Sequence, residues 1–351
     1  MQALAFEEHG DLDRLRLLDV PRPAIGPQEV LLSVRAAALN RLDLWVLEGW
    51  PGLKLKWPHI MGADGAGVVA AVGEAVRHFR AGDRVAVNPT LCNDPADRFA
   101  RLGLDNMCDD FAIFGEHVDG LFAQFAAVPE RNLLPLPEGV PFETAAAASL
   151  VFLTAWHSLV TRGRLQPGES ILVVGAGGGV NTASIQIARL VGARPIIVVG
   201  SSGAKLAQAT ALGADEVINR SEVDWGREVF RLTARQGVDV VVDNVGAATF
   251  AQSLRALRRG GRLLTVGNSS GPRFELDNRY LFAKQLTIIG STMGTSADYE
   301  KVMGLIFAGR LRPVIDTVYS LRDAPTALRR LRDGDVMGKL VLRIPSEEEE
   351  A

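Results

Sequence analysis

Residues 169–205 read ESILVVGAGGGVNTASIQIARLVGARPIIVVGSSGAK, and this stretch decides the fold class. Residues 171–174 are a short apolar, β-branched run, followed directly by a turn containing Gly175, Gly177, Gly178 and Gly179. Ile185, Ala188, Arg189 and Val191 then recur at helical spacing until Gly192, and residues 195–199 supply a second buried strand. Strand, helix and strand in this order imply an α/β protein with a doubly wound parallel sheet.

A glycine turn between strand and helix lets backbone N–H groups and the helix N-terminus approach a pyrophosphate, so the unit reads as a dinucleotide site lined by Gly177, Gly178, Gly179 and Val180. Aligned by its distance to Gly192, the loop places Ala176, Gly178 and Asn181 where the fingerprint has three glycines, so the third small residue is lost. The end of the second strand selects the dinucleotide. NAD sites carry an Asp or Glu there, about 20 residues past the glycines. This chain has Gly200, Ser201 and Ser202, with Lys205 soon after, and these suit a 2′-phosphate. The expected cofactor is NADPH rather than NADH. The alternative is that Ser201 and Ser202 only cap the next helix.

The chain has 351 residues, 47% hydrophobic and 23% charged, with a net charge of −3. That suits a two-domain globular protein and argues against nucleic acid as a partner. Apolar runs of roughly 18 residues are absent and the start, MQALAFEEHGD, is acidic, so neither a membrane span nor a signal peptide is expected and the protein reads as cytoplasmic. Cys92 and Cys108 are too few for a disulfide framework and are expected as free thiols. The SEEEEA tail from Ser346 reads as a solvated, frayed end.

Residues 1–130 read as β-rich and barrel-like, with strands at 28–36, 65–72 and 83–87. Residues 129–139 look like a connector, and the Ala-rich stretch 142–159 a buried linking helix. Beyond Glu169, strands at 238–243, 262–266 and 286–289 alternate with helices near 205–212, 228–235 and 250–258, and residues 336–344 return to a strand.

Several spaced motifs resemble the medium-chain dehydrogenase/reductase superfamily over residues 1–345. They are AALNRLDLWVLEG (37–49), PHIMGADGAGVVAAVG (58–73), AGDRVAV (81–87), LTAWHSL (153–159), the GAGGGV turn, LGADEVIN (212–219) and MGKLVL (337–342). The resemblance implies a GroES-like, β-rich catalytic domain from residues 1–154 and 290–351, around a Rossmann domain at 155–289. It also implies a homodimer or homotetramer pairing the edge strand at 286–291, which left open would invite aggregation.

The departures from the family's zinc alcohol dehydrogenases are informative. The three positions matching catalytic zinc ligands hold Asn40, Ala63 and Leu150, which cannot form such a site. Those matching the structural zinc lobe hold Asp94, Asp97, Ala100 and Cys108, so the lobe is expected to persist without metal. The remaining resemblance is to the zinc-free quinone oxidoreductases, with Asn40 and Asp43 at matching places and Trp45 where a Tyr often stands. Asn40 is expected to donate to the developing oxyanion of a small-molecule acceptor, and Trp45 either flanks a planar substrate or packs. Asp43 and Asp64 are expected to brace loops rather than act catalytically, Thr154 matches the superfamily's threonine by the nicotinamide and is otherwise an ordinary helix or cap threonine, and the turns at Val245, Gly246 and at Gly267, Asn268, Ser269, Ser270 are expected to border the cofactor. His59, His78, His117 and His157 lack metal-ligand spacing, and His9 reads as exposed.

The leading expectation is an NADPH-dependent, zinc-independent reductase of quinones or α,β-unsaturated carbonyls, with no obvious proton donor. The alternatives are an alcohol dehydrogenase or carbonyl reductase, and an NADPH-binding protein without turnover.

Overall fold

The structure, a computed structural model, describes residues 1–345. The acidic tail from Ser346 lies outside the described residues. The chain divides into two compact units: Met1–Leu150 together with the chain from Thr295 onward, and Val151–Gly294.

The first unit is built on Glu29–Ala38, whose side chains alternate between buried and half-buried as the sequence pattern predicts. Ten residues give it room for two partners in succession. Phe125–Pro129 pairs antiparallel with its first half, and Lys339–Arg343 pairs antiparallel with its end, Val341 opposite Ala38. Strands from early and late in the chain therefore enter one seven-stranded sheet, ordered Leu133–Pro135, Arg84–Val87, Asp64–Val72, Glu29–Ala38, Lys339–Arg343, Ile315–Ser320, with Phe125–Pro129 off this path. The connector expected at 129–139 contains the outermost of these strands. Pro135 has no N–H to give, which suits a sheet edge.

The second unit carries six parallel strands in the order Glu216–Asn219, Ile196–Gly200, Ile171–Val174, Val238–Asp243, Leu257–Thr265, Thr287–Gly290. The order reverses between Ile171–Val174 and Val238–Asp243, the switch point at which such sheets bind ligands. Buried strands rich in Val and Ile make its core, with Trp225, Phe250 and Leu254 packed on them. The helix expected at 228–235 instead spans Trp225–Leu232, because the Asp224 side chain accepts from the N–H groups of Gly226 and Arg227 and fixes its start. The strand expected at 262–266 begins earlier, at Leu257, directly after the helix Phe250–Ala256. Phe142–Trp156 is the expected Ala-rich helix, continued by a π-helical turn at His157–Arg162. This helical stretch is long and apolar enough to cross a membrane, yet 78% of its most apolar window is buried inside the protein, as in a core helix.

Candidate active site

In the first unit, Asn40 ends the central strand's path and starts the helix Arg41–Glu48. Its backbone N–H donates to Asp43 Oδ2 at 2.7 Å, so the helix start is tied by its own third residue. The Asn40 amide donates to Asp64 Oδ2 at 2.8 Å and to the Ala38 carbonyl at 3.3 Å, and its Oδ1 accepts from Lys339 Nζ at 2.5 Å. Lys339 Nζ also donates to Asp64 Oδ2 at 2.9 Å, while Asp64 Oδ1 accepts the Leu150 N–H at 2.7 Å. All four side chains are buried. Burial pushes the Asp43 carboxyl up to about 7, against the lowering effect of the Asn40 N–H and the Lys339 charge.

The sequence reading anticipated Asn40, Asp43 and Asp64 here and missed Lys339, whose signal was a cation placed directly before the apolar run 340–342. The expected loop-bracing role of Asp64 matches its three bonds. The Asn40 amide, expected to donate to an acceptor oxygen, donates here to Asp64 and to the Ala38 carbonyl. Trp45 stands half-buried on the same helix, two residues past Asp43.

In the second unit, Gly175 ends Ile171–Val174 at φ +109°, and a Cβ there would lie 2.4 Å from Asn181 Nδ2. Only glycine fits on both counts. Asn181, the residue that breaks the glycine fingerprint, donates to the Val174 carbonyl at 3.2 Å and accepts from Asn244 Nδ2 at 3.1 Å. A hydrogen-bonded side chain thus replaces the close helix–strand packing of a third glycine. The helix Gly179–Val191 begins behind Gly178, with no side-chain cap and open space where a Gly178 Cβ would stand. An uncapped helix N-terminus beside a glycine turn has the geometry that suits a phosphate, and Gly177, Gly178, Gly179 and Val180 form this turn and helix start.

At the end of Ile196–Gly200, Ser201 is exposed and Ser202 takes the N-cap position of the helix Gly203–Leu212 without making a side-chain cap bond. The capping alternative is therefore not realised at Ser202. Lys205 lies on the first turn of that helix. Arg220, missed by the sequence reading, donates its backbone N–H to the Gly200 carbonyl and so sits at the same strand end. The two expected turns are knit together: Ser270 N–H and Oγ both donate to the Val245 carbonyl at 2.7 Å, Ser269 N–H donates to the Asn244 carbonyl at 3.3 Å, and Gly271 N–H donates to the Asn268 carbonyl. A Cβ on Gly267 would meet the Asn244 carbonyl at 3.1 Å. Thr154 is buried in this unit, its hydroxyl 3.7 Å from Met293 Sδ.

Residues 26–138 match the family model of the alcohol dehydrogenase GroES-like domain, and residues 179–308 that of the zinc-binding dehydrogenases. An acryloyl-coenzyme A reductase of Sulfurisphaera tokodaii is 31% identical over 93% of this chain and 96% of its own length. The chain belongs to the medium-chain dehydrogenase/reductase superfamily. It is an oxidoreductase of that superfamily, whose members bind a nicotinamide cofactor. Human quinone oxidoreductase is 28% identical, with 97% of each chain covered. A crystal structure of an NAD-dependent alcohol dehydrogenase is 42% identical with a TM-score of 0.95, covering 98% of this chain and 100% of that one.

Catalytic zinc, which the zinc-binding members of the superfamily use, does not fit the residues present. Ala63 and Leu150 are buried without a donor atom, and the Asn40 amide oxygen already faces an ammonium. The lobe matching the structural-zinc segment corrects another expectation. Cys92 and Cys108 are not free thiols but a disulfide, with Cα atoms 6.0 Å apart. Cysteine count and an expected compartment could not reveal a pairing set by local folding. Asp94 and Asp97 cap turns instead of converging, accepting from the N–H groups of Ala96 and of Phe99 and Ala100. Among the described residues, Cys92, Cys108 and Asp110 alone form a trio of metal-competent side chains that converge. A disulfide has no thiolate to offer a metal.

The histidines bond to different partners. Buried His59 donates through Nε2 to the Gly115 carbonyl, 3.1 Å away, and its burial lowers its pKa. His117 Nδ1 accepts the Ile113 N–H, His157 is buried on the π-helical turn, and the His78 backbone N–H is held by Glu130. His9, expected exposed, is half-buried between Phe6 and Trp57, its Nδ1 3.1 Å from the Val46 carbonyl.

Proposed function

We propose that this protein is an NADPH-dependent reductase that adds hydride to a conjugated C=C bond or a quinone without catalytic zinc. The observation that carries the reading is the Asn40–Asp64–Lys339 cluster, which fills a zinc-ligand position with a hydrogen-bonded amide. Without a Lewis acid at the acceptor oxygen, a conjugated acceptor is favoured, because it spreads the developing charge to an oxygen that water can protonate. The acryloyl-coenzyme A reductase and quinone oxidoreductase relatives are named for electron-poor acceptors of this kind.

The bound nicotinamide would supply the hydride. The glycine turn and the uncapped N-terminus of Gly179–Val191 would hold the pyrophosphate, and Ser201, Ser202, Lys205 and Arg220 would surround a 2′-phosphate. Asp43 holds a proton over part of the neutral range. Its Oδ2 receives the Asn40 N–H, which leaves Oδ1 to carry that proton.

The second reading is an alcohol dehydrogenase, favoured by the 42% identical structure of that description. Incubating metal-stripped protein with NADPH and a 2-alkenal separates the two. The expected product is the saturated aldehyde, whereas an allylic alcohol would transfer the argument to carbonyl chemistry.

A further inference from the structure

Lys339 is a lysine with almost no contact with solvent, at the start of a strand whose next three residues, Leu340, Val341 and Leu342, are apolar and buried. An ammonium only donates and an ionised carboxylate only accepts. Between Lys339 and Asp64 the Asn40 amide therefore has a single permitted orientation, Oδ1 toward the ammonium and Nδ2 toward the carboxylate. The backbone reinforces this alignment, since the Leu39 N–H donates to the Leu340 carbonyl at 2.9 Å beside the side-chain contact. The ordering continues outward from Asn40. Its N–H is held by Asp43 Oδ2, and its carbonyl accepts the Asp43 N–H at 3.0 Å, so the first turn of Arg41–Glu48 hangs on the same residue.

We propose that Lys339 is a positioning residue for the reduction: through the Asn40 amide it fixes the first turn of the helix that carries Asp43 and Trp45. The proposal rests on the reductase reading. The competing role is purely structural, in which the ammonium serves only to neutralise a buried Asp64, and a neutral pair would then do as well.

The two roles separate in a double variant. Lys339→Met alone strands a buried carboxylate and is expected to fold poorly. Lys339→Met combined with Asp64→Asn removes both charges, while the new amide keeps an oxygen for the Leu150 N–H. Melting temperature, the kcat and KM of NADPH oxidation with a 2-alkenal, and a crystal structure of the double variant are the readouts. The expected result is a melting temperature close to wild type, kcat lower by about 100-fold with KM little changed, and the Asn40 amide turned from its present orientation. Wild-type kcat with the Asn40 amide unmoved would overturn the proposal. If the wild-type protein makes no saturated aldehyde, the reductase reading fails, and the orientation of Asn40 in the double variant still decides the role of Lys339.

Discussion

The two polar regions of this protein are built in opposite ways. Around Asn40, Asp64 and Lys339 the polar atoms face one another in a buried cluster, each holding the next. Around Gly178 and Ser202 they face outward: a helix starts without a side-chain cap, a serine at a cap position makes no cap bond, and Ser201 is exposed. A closed cluster derives its value from stability and orientation, because each member lost leaves a partner unsatisfied in a low-dielectric interior. An open cradle derives its value from a ligand that supplies the missing partners. The difference teaches where substitutions will register: as stability in the first region and as cofactor affinity in the second.

The sharpest way to break this comparison is Asp64→Ala. It removes the acceptor of the Leu150 N–H and leaves the Lys339 ammonium buried with only the Asn40 oxygen. Losing one partner of a buried pair costs about 3–5 kcal/mol, a large share of a typical domain's stability. Urea unfolding should show that loss. A change below about 1 kcal/mol would mean that water reaches the cluster and that it is not closed.

On the open side, Ser202→Ala with Lys205→Ala should leave the unfolding midpoint within experimental scatter, yet weaken NADPH binding about tenfold while sparing NADH, as expected for a lost charge-assisted contact. Isothermal titration with both cofactors measures the contrast. Equal losses for the two would place these side chains away from the 2′-phosphate and remove the basis for expecting NADPH.

Much of the nucleotide unit was legible because its signals are local. Val238–Asp243, with four buried valines, has the bounds its sequence predicts, and the turn at Gly175 follows from a strand meeting glycines. What stayed hidden depends on partners far along the chain. Lys339 meets Asn40 across 299 residues, so nothing near either residue announces the contact. Asn181 reads as a lost glycine until its bonds to Val174 and Asn244 show what replaces that glycine. The Cys92–Cys108 pair was misjudged for a related reason: the lobe's turns, capped by Asp94 and Asp97, bring the thiols together, and composition carries no such geometry.

The last expected effect concerns Asp43 and is spread over several pH units, and it tests whether the closed cluster excludes water throughout. Burial raises its carboxyl to about 7 in the folded chain, against about 3.9 when unfolded. A folded-state pKa above the unfolded one means that the folded chain binds the extra proton. The stabilising contribution is therefore complete below about pH 4 and declines as pH rises, levelling off above about 7. Its slope is bounded by one proton, about 1.4 kcal/mol per pH unit. Asp43→Asn cannot titrate and should flatten the stability profile in that window while keeping an oxygen for the Asn40 N–H. Urea midpoints from pH 4 to 8 for both proteins measure the difference. Parallel profiles would show that Asp43 ionises as an ordinary carboxylate, so that this corner of the cluster is wet and resembles the cofactor cradle more than the Asp64–Lys339 pair.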